Sequence, residues 1–355
     1  MIDLFCTKVV DILKVYINAR FLTQQITGVQ QFAFEICRYL QHDDLQFVLL
    51  IPPGTAIPKA LAHHSFLVVG SLSGYFWEQI ELSIFLKRKG NPLLLNFCNT
   101  APLIYQNQFV TIHDLAFMNH PEWFSASFSM TYKYLIPRIT SRSKKVLTVS
   151  KTIQHQLVQY LNVESEILYN GLPFSLLGLA NVKNPERKKM IVTVSSINPR
   201  KNLTALIEAF TLAELPNYEL VIVGASNSVF RKLTFTPSSA VRFTGYVTND
   251  KLIALYRQSE LFVSLSKDEG FGIPVLEALH FGCKVLLSDI DVYKECFSEV
   301  AQFTCTNNVQ QIANDIKVAL NQQPLAVPVS LFEKYNYAAS AKKLMQLLIE
   351  TNKKQ

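Results

Sequence analysis

The strongest constraint on this chain is an alternation, used twice, of short apolar runs with segments of helical spacing. In the first half the runs fall at Leu13 to Leu22, Gln46 to Ile51, Phe66 to Val69, Leu93 to Phe97, Phe109 to His113 and Val146 to Val149. Each is strand-sized, and segments with helical spacing lie between them, such as Val29, Phe32, Ile36, Tyr39 and Leu40, or Phe76 to Lys87. The second half repeats the scheme. Strands are expected at Met190 to Ser195, Leu220 to Val223, Val241 to Phe243, Leu261 to Leu265 and Lys284 to Ser288, and helices at Leu203 to Ala213, Asp250 to Arg257 and Pro274 to Phe281. Such alternation predicts an α/β chain with parallel sheets covered by helices on both faces.

The rhythm breaks once, from Asn170-Gly171 to Lys189, a stretch holding Pro173, Gly178, Pro185 and the charge run Glu186 to Lys189. That divides the chain into a domain over 1–171, a linker over 172–189 and a second domain over 190–334. A closing helix over 335–355 carries Tyr337, Ala341, Leu344 and Leu348 at helical spacing. A length of 355 residues suits two domains. With 49% hydrophobic and 17% charged residues the chain has material for large cores and is not a disordered polymer. Ligands of two such sheets are expected in a cleft at the carboxyl ends of the strands.

Six cysteines at 6, 37, 98, 283, 296 and 305 lack Cys-x-x-Cys pairing and follow no secretory leader, which points to a reducing cytoplasm and against a zinc cage. No apolar run reaches the length of a membrane span, so membrane work would be peripheral. The formal charge of +7 favours anionic partners without naming them.

Two windows carry chemistry. In the first, a strand ends at Ser266, the loop Lys267-Asp268-Glu269-Gly270-Phe271-Gly272-Ile273 follows, Pro274 opens a helix and Gly282 closes it. The glycines leave amides free at a helix N-terminus, ready for phosphate or sugar oxygens, while Glu269 and Glu277 are acceptors for hydroxyls. The spacing alone fits equally well an ordinary turn with a helix-dipole acid and a surface glutamate. In the second window Ser195-Ser196-Ile197-Asn198-Pro199-Arg200-Lys201 leads into a helix that Asn202 is placed to cap, putting two cations at a strand-to-helix corner. They suit a phosphate, or are plain solvated charge.

Together the two windows resemble a known family. Glu269-Gly-Phe-Gly-Ile-Pro-Val-Leu-Glu277, preceded by Pro199-Arg-Lys-Asn202, resembles the donor site of the retaining glycosyltransferases of family four, particularly the mannosyltransferase-like enzymes of bacterial surface polysaccharides. Thr27-Gly-Val-Gln30, Trp77-Glu-Gln79, Asn99-Thr100, Val110-Thr-Ile-His-Asp-Leu115, Val149-Ser150 and Asn170-Gly171 are similar to that family's landmarks. The resemblance implies the GT-B fold, two Rossmann-like domains facing across a cleft, with the C-terminal helix crossing back to the first. It further implies hexose transfer from a nucleotide sugar, first GDP-mannose, to a glycan or lipid-linked acceptor, as in O-antigen synthesis.

Residue by residue, the resemblance implies that Glu277 binds ribose, Glu269 a hydroxyl of the transferred sugar, and the amides of Gly270, Phe271, Gly272 and Ile273 the sugar and phosphates. Arg200 and Lys201 would hold the diphosphate. Tyr246 and Val247 would line the base pocket through backbone atoms, His113 would lie beside the sugar, and Gly28, Asp114 and Asn99 would stand on the acceptor side of the cleft. No metal or other cofactor is expected, the nucleotide sugar being a substrate. One departure is Ser195, where several relatives carry an arginine. A non-catalytic partner of the same fold is the alternative, opposed by the presence of Glu269, Glu277, Arg200 and Lys201. Nucleic acid is not an expected partner, because no recognisable module for it is present.

Finally, Trp123 to Val163 contains no Asp or Glu but six cations, Lys133, Arg138, Arg142, Lys144, Lys145 and Lys151. Phe128, Tyr132, Leu135 and Ile139 form one helical stripe beside Arg138, Arg142 and Lys145, with Pro137 expected to kink the helix. Residues 123–151 therefore either meet an anionic membrane surface or pack the stripe into the core and leave the charges solvated.

Overall fold

The computed structural model describes residues 12–179, 186–196, 198–224 and 239–353. Residues 1–11 of the expected first domain, 180–185 of the linker, Ile197 of the cation loop and 354–355 of the closing helix lie outside the described residues.

Two parallel sheets organise the chain. The first comprises β1 (Leu13–Asn18), β2 (Leu45–Ile51), β3 (Ser65–Val68), β4 (Leu94–Asn96), β5 (Gln108–Ile112), β6 (Lys145–Thr148) and β7 (Glu166–Ile167), in the order β3-β2-β1-β4-β5-β6-β7. The second comprises β8 (Lys188–Val194), β9 (Glu219–Val223), β10 (Val241–Gly245), β11 (Ser259–Ser264), β12 (Lys284–Ser288) and β13 (Gln302–Thr304), in the order β10-β9-β8-β11-β12-β13. Central strands are buried on both faces, all five residues of β5 among them, which is why they read as unbroken apolar runs. In each sheet the winding reverses direction once, between β1 and β4 and between β8 and β11. Open α/β sheets bind ligands at such switch points, beyond the carboxyl ends of the strands. This is the GT-B arrangement.

Two expectations need correction. The first strand does not run to Leu22: it leaves the sheet after Asn18, and Arg20–Thr23 form a 3-10 turn. The cause is Arg20, a buried cation that turns inward to reach Glu78 and Thr100. Lys188 and Lys189, read as the end of the linker, already belong to β8, with Lys188 paired to Ser259.

Packing decides the role of the aromatic stripe in the helix Ala126–Arg142. Ile139 is fully buried against Val110, Ile112 and Leu157, and Tyr132 and Leu135 pack on the same cluster. Only Phe128 reaches the surface, stacked on Tyr132 at 4.1 Å and on Phe124 at 5.1 Å. Lys133, Arg138, Arg142 and Lys144 remain exposed.

The closing helix Tyr337–Lys353 returns to the first domain and packs on the helix Gly28–Tyr39. The Tyr337 ring meets Phe32 edge-on at 6.1 Å, its hydroxyl donates to Asn170 Oδ1 at 3.2 Å, and Ser340 Oγ donates to the Tyr169 carbonyl at 2.7 Å. Gly171 makes this crossing possible, since a Cβ there would lie 2.6 Å from the Tyr337 nitrogen. A second tie between the domains is Glu295, whose carboxylate accepts from the Lys151 and Thr152 N–H groups, both at 2.8 Å, at the start of the helix Lys151–Leu161.

Candidate active site

The second sheet's switch point is built from the loops after β8 and β11. After β8 the chain enters a short turn, Pro199–Lys201, in which Asn198 Oδ1 accepts the Arg200 N–H at 2.9 Å. Asn202, expected to cap the next helix, makes no capping bond. It sits in a left-handed conformation, φ +52°, and its side-chain amide donates to the Thr306 carbonyl. The Lys267 N–H donates to the Arg200 carbonyl at 2.8 Å, joining this turn to the loop after β11.

That junction fixes an ion cluster. Arg200 Nη1 lies 3.1 Å from Glu269 Oε2 and donates to the Asp268 carbonyl at 3.1 Å, and Lys201 Nζ pairs with Glu269 Oε1. Glu269 is less than a tenth exposed. Burial pushes its carboxyl up, but Arg200 and Lys201 prevail and hold it at about 2. The Glu269 charge in turn raises the Arg200 guanidinium above its ordinary value. Glu269 is thus a locked anion, committed to two cations.

Glycines shape the rest of the loop. A Cβ on Gly270 would fall 2.1 Å from the His113 carbonyl oxygen, so the two domains touch at a point only glycine permits. Gly272 has φ +111° and stands immediately before the helix Ile273–His280, with Pro274 in its first turn. None of the N–H groups of Gly270, Phe271, Gly272 and Ile273 donates to a protein acceptor among the described residues. Free amides at a helix N-terminus beside two cations form a receptor for an anion. The Phe271 side chain turns away into the core against Tyr335 and Phe297, leaving only its backbone to the site.

Glu277 follows in the same helix. Its Oε2 accepts from the Tyr256 hydroxyl at 2.9 Å, and burial raises its pKa to about 7 against the opposing pull of that hydrogen bond. Two carboxylates eight residues apart therefore sit in opposite electrostatic settings. Tyr246, by contrast, is 74% exposed and makes no contact with this cluster, and Val247 is half-buried at the edge of the core.

From the first domain come His113, Asp114, Asn99 and Gly28. Asn99, with φ +60°, accepts the His113 N–H on its Oδ1 at 2.7 Å. His113 Nε2 is 2.7 Å from the Phe97 carbonyl. A carbonyl only accepts, so Nε2 carries the proton and Nδ1 is left as an acceptor. Burial lowers the His113 pKa, with Phe97 and Asp114 opposing, and the ring is neutral. Asp114 Oδ1 accepts the Ala116 N–H at 3.3 Å and its charge reaches Arg200. A Cβ on Gly28 would stand 3.8 Å from Ile273 Cδ1, which puts the start of the helix Gly28–Tyr39 against the start of the helix Ile273–His280.

The family described as glycosyl transferases group 1 matches residues 179–345, the stretch that holds the ion cluster, the free amides and Glu277. The second half of the chain is a group 1 glycosyl transferase domain.

This glycosyltransferase is 27% identical over 268 residues to the O-antigen chain mannosyltransferase RfbU of Salmonella typhimurium, covering 73% of this chain and 72% of that one. It is 31% identical over 205 residues to the serotype-specific mannosyltransferase WbdA of Escherichia coli, covering 51% of this chain but only a quarter (25%) of that one. Among solved structures, sucrose-phosphate synthase from Thermosynechococcus elongatus shares the fold with a TM-score of 0.73 at 15% identity, over 97% of this chain and 100% of that one.

Two features of the glycosyltransferase escape sequence reading. Asp268, beside Glu269, is buried and accepts from Asn119 of the first domain at 3.2 Å, and burial raises its pKa to about 6. Its partner lies 149 residues away, so no local pattern announces it. Arg20 is the other. A second cation in the run from Leu13 to Leu22, after Lys14, is the available signal.

Proposed function

We propose that this glycosyltransferase transfers mannose from GDP-mannose, with retention at the anomeric carbon, to a glycan or lipid-linked glycan in surface-polysaccharide synthesis of the O-antigen type. The observation that carries the reading is the anion receptor at the second switch point: Arg200, Lys201 and the free amides of Gly270 to Ile273 around one buried carboxylate. The sugar and the pathway rest on the names of the mannosyltransferase relatives.

Loss of a nucleoside diphosphate leaves negative charge on phosphate and positive character on the sugar. Arg200 and Lys201 are placed to take up the first. Glu269 hydrogen-bonds a sugar hydroxyl while remaining paired. A carboxylate held at about 2 by two cations is a poor nucleophile and a poor base, which favours attack from the face of the leaving phosphate, with that phosphate receiving the acceptor proton. Neutral His113, with Nδ1 as acceptor, orients a hydroxyl of the sugar. Glu277, ionised, accepts the ribose hydroxyls. The positive charge comes from side chains and amides, so transfer needs no metal, and a rate that falls with EDTA and returns with a divalent ion would overturn that point.

The same reading places the protein at the cytoplasmic face of a membrane. No helix among the described residues is long and apolar enough to cross one. The exposed Lys133, Arg138, Arg142 and Lys144, with Met130 at 72% exposure, offer a basic surface carrying an apolar side chain, which suits an anionic bilayer. Flotation with vesicles should depend on anionic lipid, and indifference to lipid charge contradicts this part. For the activity itself, calorimetry with GDP-, UDP-, dTDP- and ADP-sugars, then NMR of the released sugar's anomer, provides the test. GDP-mannose should bind and give the retained anomer first. Tighter binding of another sugar nucleotide overturns the donor assignment, and an inverted product the mechanism.

A further inference from the structure

Glu277 is held differently from Glu269. Among the described residues no cation pairs with it and Oε1 has no hydrogen-bond partner; its single bond comes from the Tyr256 hydroxyl, which donates to Oε2 at 2.9 Å. That bond joins two helices, Asn249–Gln258 and Ile273–His280. Tyr256 is itself fixed in place. Its ring is fully buried, stacked on Phe281 with 6.0 Å between centroids and tilted on Phe262 at 6.1 Å. Its carbonyl accepts from Cys283 Sγ at 3.0 Å and from Arg187 Nη1 at 3.3 Å. The other charged and titratable groups of this neighbourhood are committed elsewhere. Arg187 and Arg257 donate to backbone carbonyls, His280 Nε2 is 3.1 Å from the Leu176 carbonyl, and the Tyr337 hydroxyl of the closing helix donates to Asn170. Burial keeps Cys283 and Tyr337 protonated, pushing Cys283 up to about 11 and Tyr337 well above its ordinary value.

A carboxylate in that setting needs a donor to hold it. Unheld, it turns about its last carbon–carbon bond and offers a ligand either oxygen or neither. One hydrogen bond from a rigid neighbour fixes both its plane and which oxygen is free. A hydroxyl donating to a carboxylate makes a bond of the strong, charge-assisted kind and favours the ionised form, and here it opposes the burial that raises Glu277. We infer that Tyr256 is a positioning residue of the nucleotide site, whose hydroxyl holds Oε2 of Glu277 and so presents Oε1 to the ribose hydroxyls. The inference rests on the transferase reading above, in which Glu277 takes the ribose, and deepens it by naming the group that keeps that carboxylate aimed.

The test titrates the full chain with GDP by calorimetry at several pH values and compares wild type, Tyr256→Phe, Glu277→Gln and the double variant. Affinities are taken as ratios at one pH, so that the titration of GDP itself cancels. Removing the hydroxyl should move the Glu277 midpoint from about 7 to about 8. Tyr256→Phe should therefore bind GDP about fivefold more weakly than wild type at about pH 7, and within about twofold of it at about pH 8.5. In the Glu277→Gln background the same change should alter affinity by less than about twofold at either pH. A hydroxyl with only a structural role would weaken binding equally at both pH values and in both backgrounds. That result overturns the inference, as does unchanged affinity in Tyr256→Phe or wild-type affinity in Glu277→Gln. Tyr256→3-fluorotyrosine, a stronger donor of nearly the same size, should instead lower the midpoint and tighten GDP about twofold at about pH 6. It keeps the question answerable if Tyr256→Phe fails to fold, and no gain in affinity there counts against the inference. If wild type binds no GDP, it is the transferase reading that fails, and the two failures are thereby told apart.

Discussion

At the switch point of the second sheet two cations surround one buried carboxylate, and four backbone amides stand unpaired beside them. At the switch point of the first sheet one cation meets one carboxylate, and both are nearly spent on each other and on Asn18 and Thr100. The same strand order thus presents free backbone amides beside a cluster of paired charges on one side of the cleft and a largely self-satisfied polar wall on the other. Topology supplies the location of a site, and the groups left unpaired there decide what enters it.

This contrast predicts different penalties. At the neutral wall, Arg20→Ala strands the Glu78 carboxylate in the interior, and should cost about 3 to 5 kcal/mol in denaturant unfolding. Replacing the pair together, Arg20→Met with Glu78→Leu, should recover most of that loss. At the charged site the order reverses. Arg200→Ala or Lys201→Ala should lower turnover by about 10² to 10³-fold, with a much smaller change in unfolding midpoint, because each leaves Glu269 one cation and, in the proposed function, removes a group that meets developing charge. Equal turnover in both single variants and wild type would remove the diphosphate assignment.

Next in size is Gly270→Ala. A methyl group 2.1 Å from the His113 carbonyl forces the domains apart, and a displacement of about 1 Å at a reacting centre costs about 10²-fold in rate. Each sheet also has a core cluster of its own beyond the one the two share, so the circular dichroism spectrum should be little changed.

The smallest effect is on pH. With Glu277 at about 7, its ionised fraction rises from about 9% at pH 6 to about 91% at pH 8. Nucleotide affinity should rise up to about tenfold over that window, and Glu277→Gln should flatten the dependence. The signs for stability are opposed. Glu277, raised by burial, stabilises the fold below its unfolded pKa and loses that contribution as pH rises through about 7. Glu269, depressed by Arg200 and Lys201, stabilises above its unfolded pKa and loses its contribution as pH falls towards about 2.

What the sequence disclosed follows the range of the interactions. Runs such as Phe109 to His113 were readable as strands because both faces are buried and no polar alternation intervenes. The loop after β11 is readable because Gly270, Gly272 and Pro274 punctuate it within five residues. Contacts that depend on closure were not. Asp268 meets Asn119, Gly270 meets His113, and Glu295 meets Lys151 and Thr152, each joining segments from different domains. The turn at Arg20 is hidden for a related reason: within an apolar run nothing local shows that the cation has a carboxylate 58 residues away. The stripe of Phe128, Tyr132, Leu135 and Ile139 has a period that fits a core face and a membrane face alike, and only the packing of Ile139 against Val110 and Leu157 separates them.

The claim on which the rest depends is that the second switch point holds a nucleoside diphosphate. Calorimetric titration of wild type and Arg200→Ala with GDP tests it directly. Saturable one-to-one binding to wild type, weakened about tenfold or more in the variant, is the result expected from a charge-assisted bond to phosphate. Binding of equal strength to both proteins, or to neither, would contradict it.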